Sequence, residues 1–163
     1  MKVALVMGSV NDYKKVEDAV NLLKAFEVEV EVRAFSAHRA HHALKEFIDE
    51  TKNDGTEVII AAAGKAAHLP GVIASLTSAP VIGIPIKGSA LDGMDALLSI
   101  VQMPPGIPVA TVAIDGGLNA AILAIQIMAN KHQTLKTKLD NYRQEMTLKV
   151  LEANDKLMKE IRG

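Results

Sequence analysis

His38-Arg39, preceded by Ser36-Ala37, is where residue type and adjacency in this chain most directly suggest chemistry. An imidazole titrates near neutral pH and can give or take a proton, whereas a guanidinium is permanently charged and forks onto a phosphate or carboxylate. A plainer reading also fits the pair: a His at a helix start, with Arg39 on a surface carboxylate. A second histidine, His68, sits in Ala62-Ala63-Gly64-Lys65-Ala66-Ala67-His68-Leu69-Pro70-Gly71. Small residues there leave the backbone open to a flat ligand, and Pro70 sets the direction of a following helix. The third segment, Gly8-Ser9-Val10-Asn11-Asp12, leads small and hydrogen-bonding residues into a helix whose exposed amides suit a phosphate, although such residues also serve as simple caps. It is neither GxGxxG nor GxxxxGK[ST], so dinucleotide and P-loop chemistry find no support. His41 and His42 read as solvated residues of a first helical turn, and no second cluster of His and carboxylate joins them, so no metal site is expected.

The Gly8 to Asp12 and Ala62 to Gly71 segments each follow a short apolar run without period-two alternation, the mark of strands in a parallel sheet covered on both faces. The predicted strands are Lys2 to Met7, Val28 to Ala34, Val58 to Ala62, Val81 to Ile84 and Val109 to Ile114. Predicted helices run over Tyr13 to Phe26, His41 to Lys52, Leu69 to Ser78, Asp92 to Met103 and Asn119 to Asn130. Five strand-helix units in succession predict a doubly wound, flavodoxin-like (Rossmann-like) three-layer α/β/α sandwich with a five-stranded parallel sheet, whose chemistry belongs at the carboxyl ends of the strands. Residues 1–133 form that domain and 134–163 a C-terminal helical extension, with no internal linker or repeat. In the extension Leu135, Leu139, Tyr142, Met146, Val150, Ala153 and Leu157 make one helical stripe. A helix of about 25 residues is nearly 40 Å long, which predicts that part of it packs on a neighbouring subunit.

Composition narrows the function classes. The chain has 163 residues, 18 Lys+Arg against 19 Asp+Glu, and no Cys. Balanced charge argues against nucleic-acid coating and polybasic membrane binding. Without Cys there are no disulfides, thiolate zinc sites or cysteine nucleophiles. No apolar run approaches a membrane span, and Val3 to Met7 is too short for a signal-peptide core, so the expected location is the cytoplasm.

Val6-Met7-Gly8-Ser9 followed by Asp12, Ser36-Ala37-His38-Arg39, Ala66-Ala67-His68-Leu69-Pro70-Gly71 and Ser99 to Val109 together resemble the N5-carboxyaminoimidazole ribonucleotide mutase family of purine biosynthesis, which includes the catalytic subunit of phosphoribosylaminoimidazole carboxylase. The resemblance spans nearly the whole chain. It implies a homo-octamer that moves the carboxyl group of N5-carboxyaminoimidazole ribonucleotide from the exocyclic nitrogen to ring carbon four, with no metal or organic cofactor. It implies His38 as general acid and base. Ser9 and Arg39, with the amides at Gly8 and a hydrogen bond from Asn11, would hold the phosphate, and Asp12 the ribose hydroxyls. Ser36 and Ala37 would complete that wall. Ala63, Gly64, Lys65, Ala66, His68 and Leu69 would wrap the imidazole and its carboxylate.

The chain departs from the family pattern at four places. Asn11 replaces a second serine, and Ala40-His41 replaces Thr-Pro after Arg39. Asp115-Gly116-Gly117-Leu118-Asn119 is shorter than in many relatives. Lys65 stands where the mutases carry a small or apolar residue and the animal-type carboxylases, which use carbon dioxide directly, an arginine. Lys65 either points to solvent or meets the carboxylate. Arg39 and the Ala66 to Gly71 motif favour the mutase over the direct carboxylase, and a nucleotide-binding module without turnover is the alternative of another class.

Overall fold

The computed structural model describes residues 1–88 and 90–162. In chain order the elements are β1 (Lys2–Met7), a 3-10 turn (Val10–Asp12), α1 (Tyr13–Ala25), β2 (Glu29–Ala34), α2 (His41–Thr51), β3 (Thr56–Gly64), α3 (Leu69–Leu76), β4 (Val81–Ile86), α4 (Met94–Val101), β5 (Ala110–Thr111), α5 (Gly117–Ala129) and α6 (Gln133–Arg162). The strands form one parallel sheet in the order β2-β1-β3-β4-β5. That order reverses between β1 and β3, the place where doubly wound sheets open a crevice beyond their carboxyl ends.

Alternate side chains of the central strands enter two cores, which explains the unbroken apolar runs. Val3, Leu5, Val58, Ile60, Ile82 and Ile84 pack with α1 and α5 on one face. Ala4, Val6, Ile59, Ala61 and Val81 pack with α2, α3 and α4 on the other. Gly83 marks the tightest approach: a β-carbon there would lie 2.5 Å from Ile100 Cγ2 and 2.9 Å from Val109 Cγ1.

Element boundaries differ from the sequence expectations where backbone chemistry intervenes. The last strand is expected over Val109 to Ile114 but pairs only at Ala110–Thr111. Pro108 has no N–H to give to a ladder, and Asp115 turns the chain away with φ 54°. Helix α4 begins at Met94 rather than Asp92 because Asp92 (φ 51°) and Gly93 (φ 90°) are both left-handed. It ends at Val101, just before the Pro104-Pro105 pair closes off further helix. Helix α5 starts at Gly117, where a β-carbon would touch the Lys15 carbonyl at 3.3 Å, so the starts of α1 and α5 lie against each other.

Helix α6 is 30 residues long, about 45 Å at 1.5 Å per residue. Of the expected stripe, Leu135 and Leu139 are buried and Tyr142 stacks edge-on against Phe26 with ring centroids 5.7 Å apart. Arg143 to Arg162 is exposed throughout, including Met146, Val150 and Leu157. Among the described residues no helix is long and apolar enough to cross a membrane.

Candidate active site

A cleft of about 650 Å³ opens at the carboxyl ends of β1, β3 and β4, and the loop after β2 closes one side. Gly8, Ser9, Asn11 and Asp12 line it after β1, and Ser36, Ala37, His38 and Arg39 after β2. Ala63, Gly64, Lys65, Ala66, His68 and Leu69 line it after β3. All fourteen residues singled out in the sequence therefore share one cavity. Ile86, Lys87 and Gly88 also line it and were not anticipated. The signal that locates them is position: they end β4 and follow it directly, and a strand-end rule applied to every strand reaches them.

The first wall is fixed by its own hydrogen bonds. The Gly8 N–H donates to the Ala62 carbonyl at 2.9 Å, tying the turn to the end of β3. Ser9 is extended and its hydroxyl accepts the Asn11 N–H at 3.2 Å, so the capping reading holds for Ser9 without removing it from the cleft. Burial raises the Asp12 carboxyl above the usual carboxylate range; the charge of Lys15 opposes this and that of Asp115 adds to it.

The second wall is a tight turn in which the Arg39 and Ala40 N–H groups donate to the Ser36 carbonyl at 3.2 and 2.9 Å. Arg39 Nε donates to Ser36 Oγ at 3.4 Å, which steadies the guanidinium at the cleft mouth. Helix α2 has Ala40 at its N-cap and no side-chain cap, so His38 is not a capping residue. Instead His38 Nε2 and His68 Nδ1 are 2.8 Å apart, with the rings nearly perpendicular at 83°. One proton lies between those nitrogens; the ring that carries it donates and the other accepts.

The third wall needs unusual backbone. Gly64, the last residue of β3, lies beside its partner Ile86 on β4 so closely that a β-carbon would meet the Ile86 carbonyl at 3.1 Å. Lys65 follows with φ 55°, a left-handed conformation that costs an L-residue about 1–2 kcal/mol. Pro70 in the first turn of α3 then directs that helix away, leaving His68 at its start. Arg39, Lys65 and Lys87 give the lining three fixed cations against one acid, Asp12, a balance suited to a multiply anionic ligand. Among the described residues no three His, Asp or Glu side chains are grouped to hold a metal ion.

The AIR carboxylase family matches residues 2–149 of the chain. An N5-carboxyaminoimidazole ribonucleotide mutase of Methanocaldococcus jannaschii is 55% identical over 155 residues, covering 95% of this chain and 96% of that protein. The enzyme of the same name from Pyrococcus abyssi is 54% identical over 145 residues, covering 89% and 83%. The crystal structure of Treponema denticola PurE superposes with a TM-score of 0.89 at 27% identity, over 96% of this chain and 98% of that one. With a family match over nearly its whole length, and relatives more than half identical across it, this chain belongs to the AIR carboxylase family.

Proposed function

We propose that this chain converts N5-carboxyaminoimidazole ribonucleotide into 4-carboxy-5-aminoimidazole ribonucleotide, an isomerisation in de novo purine biosynthesis. The close relatives that carry the mutase name support the reaction. The observation that carries its assignment to this cleft is the 2.8 Å pairing of His38 with His68 beside Arg39 and the Gly8-Ser9 turn.

The chemistry follows from the substrate. A proton goes to the exocyclic nitrogen as its bond to the carboxyl carbon breaks, releasing carbon dioxide and an electron-rich aminoimidazole. Ring carbon four then attacks the carbon dioxide, forming the new carbon–carbon bond, and gives up its own proton as the ring regains aromaticity. One imidazole can deliver the first proton and collect the second. His38 takes that role, and His68 stabilises its protonated form by accepting the Nε2 proton. Arg39, Ser9 and the amides of the first wall hold the phosphate, and Asp12 the ribose hydroxyls. The close-packed Ala63 to Ala66 loop holds the planar ring and retains carbon dioxide next to carbon four, which is the larger part of the task. We further propose that the chain acts in the cytoplasm as a homo-octamer, with the exposed half of α6 reaching neighbouring subunits.

The second reading, direct carboxylation of aminoimidazole ribonucleotide, is favoured by Lys65 in the cleft lining. Purified protein is assayed with the carbamate, and separately with aminoimidazole ribonucleotide plus bicarbonate. Fast carbamate turnover with weak use of the uncarboxylated substrate is the expected result; the reverse makes the chain a carboxylase, and silence in both makes it a binding module. His38→Asn keeps the fold and lowers turnover by at least about a hundredfold. Retained activity in that variant removes His38 from the chemistry.

A further inference from the structure

Lys87 is the first residue beyond β4, and both of its backbone polar groups are held by side chains from other elements. Its N–H donates to Asp115 Oδ1 at 2.8 Å. Its carbonyl accepts Lys15 Nζ at 2.9 Å, and the same ammonium reaches Asp115 Oδ2 at 2.8 Å. Three elements thus meet at one residue: α1 supplies Lys15, the β5–α5 turn supplies Asp115, and β4 delivers Lys87.

The surrounding backbone is shaped for this meeting. Asp115 is left-handed, and its N–H donates to the Pro85 carbonyl at 2.8 Å, so main chain and side chain of one residue both grip the end of β4. A β-carbon on Gly116 would lie 2.7 Å from the Ala113 carbonyl, and one on Gly117 3.3 Å from that of Lys15. The tight turn at Asp115 to Gly117 thereby holds a carboxylate within reach of Lys15 on α1. The Lys15 and Asp115 side chains are each about one-third exposed, so the ion pair by itself contributes little to stability. Its geometric effect is larger, because the same side chains hold the Lys87 N–H and carbonyl, and so the backbone that lines the cleft after β4.

We infer that Lys15 and Asp115 are positioning residues that clamp Lys87 and Gly88 as the fourth wall of the cleft, setting affinity for the nucleotide rather than the rate of its chemistry. The affinity part rests on the function proposed above; the clamp itself does not. Asp115→Ala and Lys15→Met should each raise KM for the carbamate by about tenfold while kcat stays within about threefold, the signature of lost binding geometry. Asp115→Asn, which keeps an acceptor for the Lys87 N–H, should recover part of the loss. The double variant should fall short of the product of the single effects, as for partners in one network. Lys2→Met removes a bridge to Glu31 and Asp54 at the opposite end of the sheet; it should leave KM unchanged even where it lowers stability.

Hydrogen-exchange mass spectrometry of the peptide covering residues 83–94 reads the clamp without substrate. Faster exchange there in Asp115→Ala, and not in Lys2→Met, is the expected result. Unchanged exchange overturns the clamp whether or not the protein turns over the carbamate. Faster exchange with KM within twofold of the parent overturns its role in affinity, as does an equal rise in KM for Lys2→Met. A parent protein inactive on the carbamate sinks the proposed function alone, and the exchange comparison still decides the clamp.

Discussion

At the scale of single residues, Lys65 joins a local cost to a position in the cleft. Its left-handed backbone is one that glycine adopts freely. Lys65→Gly relieves about 1–2 kcal/mol of strain and returns about 0.5–1 kcal/mol through the greater freedom of the unfolded chain. The net gain of about 0.5–1 kcal/mol should appear as a higher urea midpoint. If the ammonium meets the substrate carboxylate, the same variant raises KM several-fold; unchanged KM would assign Lys65 to solvent. The sequence shows a lysine out of pattern there, but lysine carries no left-handed signal, so the handedness of its backbone is legible only in three dimensions. The same limit applies to the two histidines. Each stands out in its own loop, yet the 2.8 Å contact between them depends on β1 lying between β2 and β3.

At the scale of elements, apolar runs located the three central strands because burial on both faces is written into composition, whereas the edge strand β2 alternates Val with Glu and Arg and is only half-buried. Strand lengths were less legible, since an apolar run does not reveal where backbone pairing stops, as Val109 to Ile114 illustrates. Lys87 and Gly88 escaped notice for a related reason: their part in the cleft comes from which strand they follow, and residue type alone is silent about it. Close packing of α4 on the sheet gives a direct test. Gly83→Ala drives a methyl group into Ile100 and Val109, both in van der Waals contact with their own neighbours. It should cost about 1–3 kcal/mol in urea unfolding. A loss below about 0.5 kcal/mol would mean that α4 shifts freely over β4, contrary to the packing described.

At the scale of the whole molecule, the last helix separates into a docked and an undocked half at Tyr142. Along the stripe read from the sequence, Leu135 and Leu139 are buried on the domain, and Met146, Val150 and Leu157 are exposed. A chain ending after Tyr142 keeps both cores intact and should unfold with nearly the parent urea midpoint. On the proposed assembly, its number of subunits by size-exclusion chromatography with light scattering should fall below that of the full chain. An unchanged octamer would place the subunit contacts elsewhere, on surfaces such as Leu98 and Val101 of α4.

That undocked half also links order to concentration. A helical stretch of some twenty residues with no tertiary cover is close to the length at which helices in water are only marginally stable. If the octamer proposed above forms through this half, mass action governs its fraying: dilution that dissociates subunits also melts the helix tip, and each dissociation event releases conformational entropy as well as surface. The proposed assembly then includes a folding step, and ellipticity at 222 nm is a titratable coordinate of it.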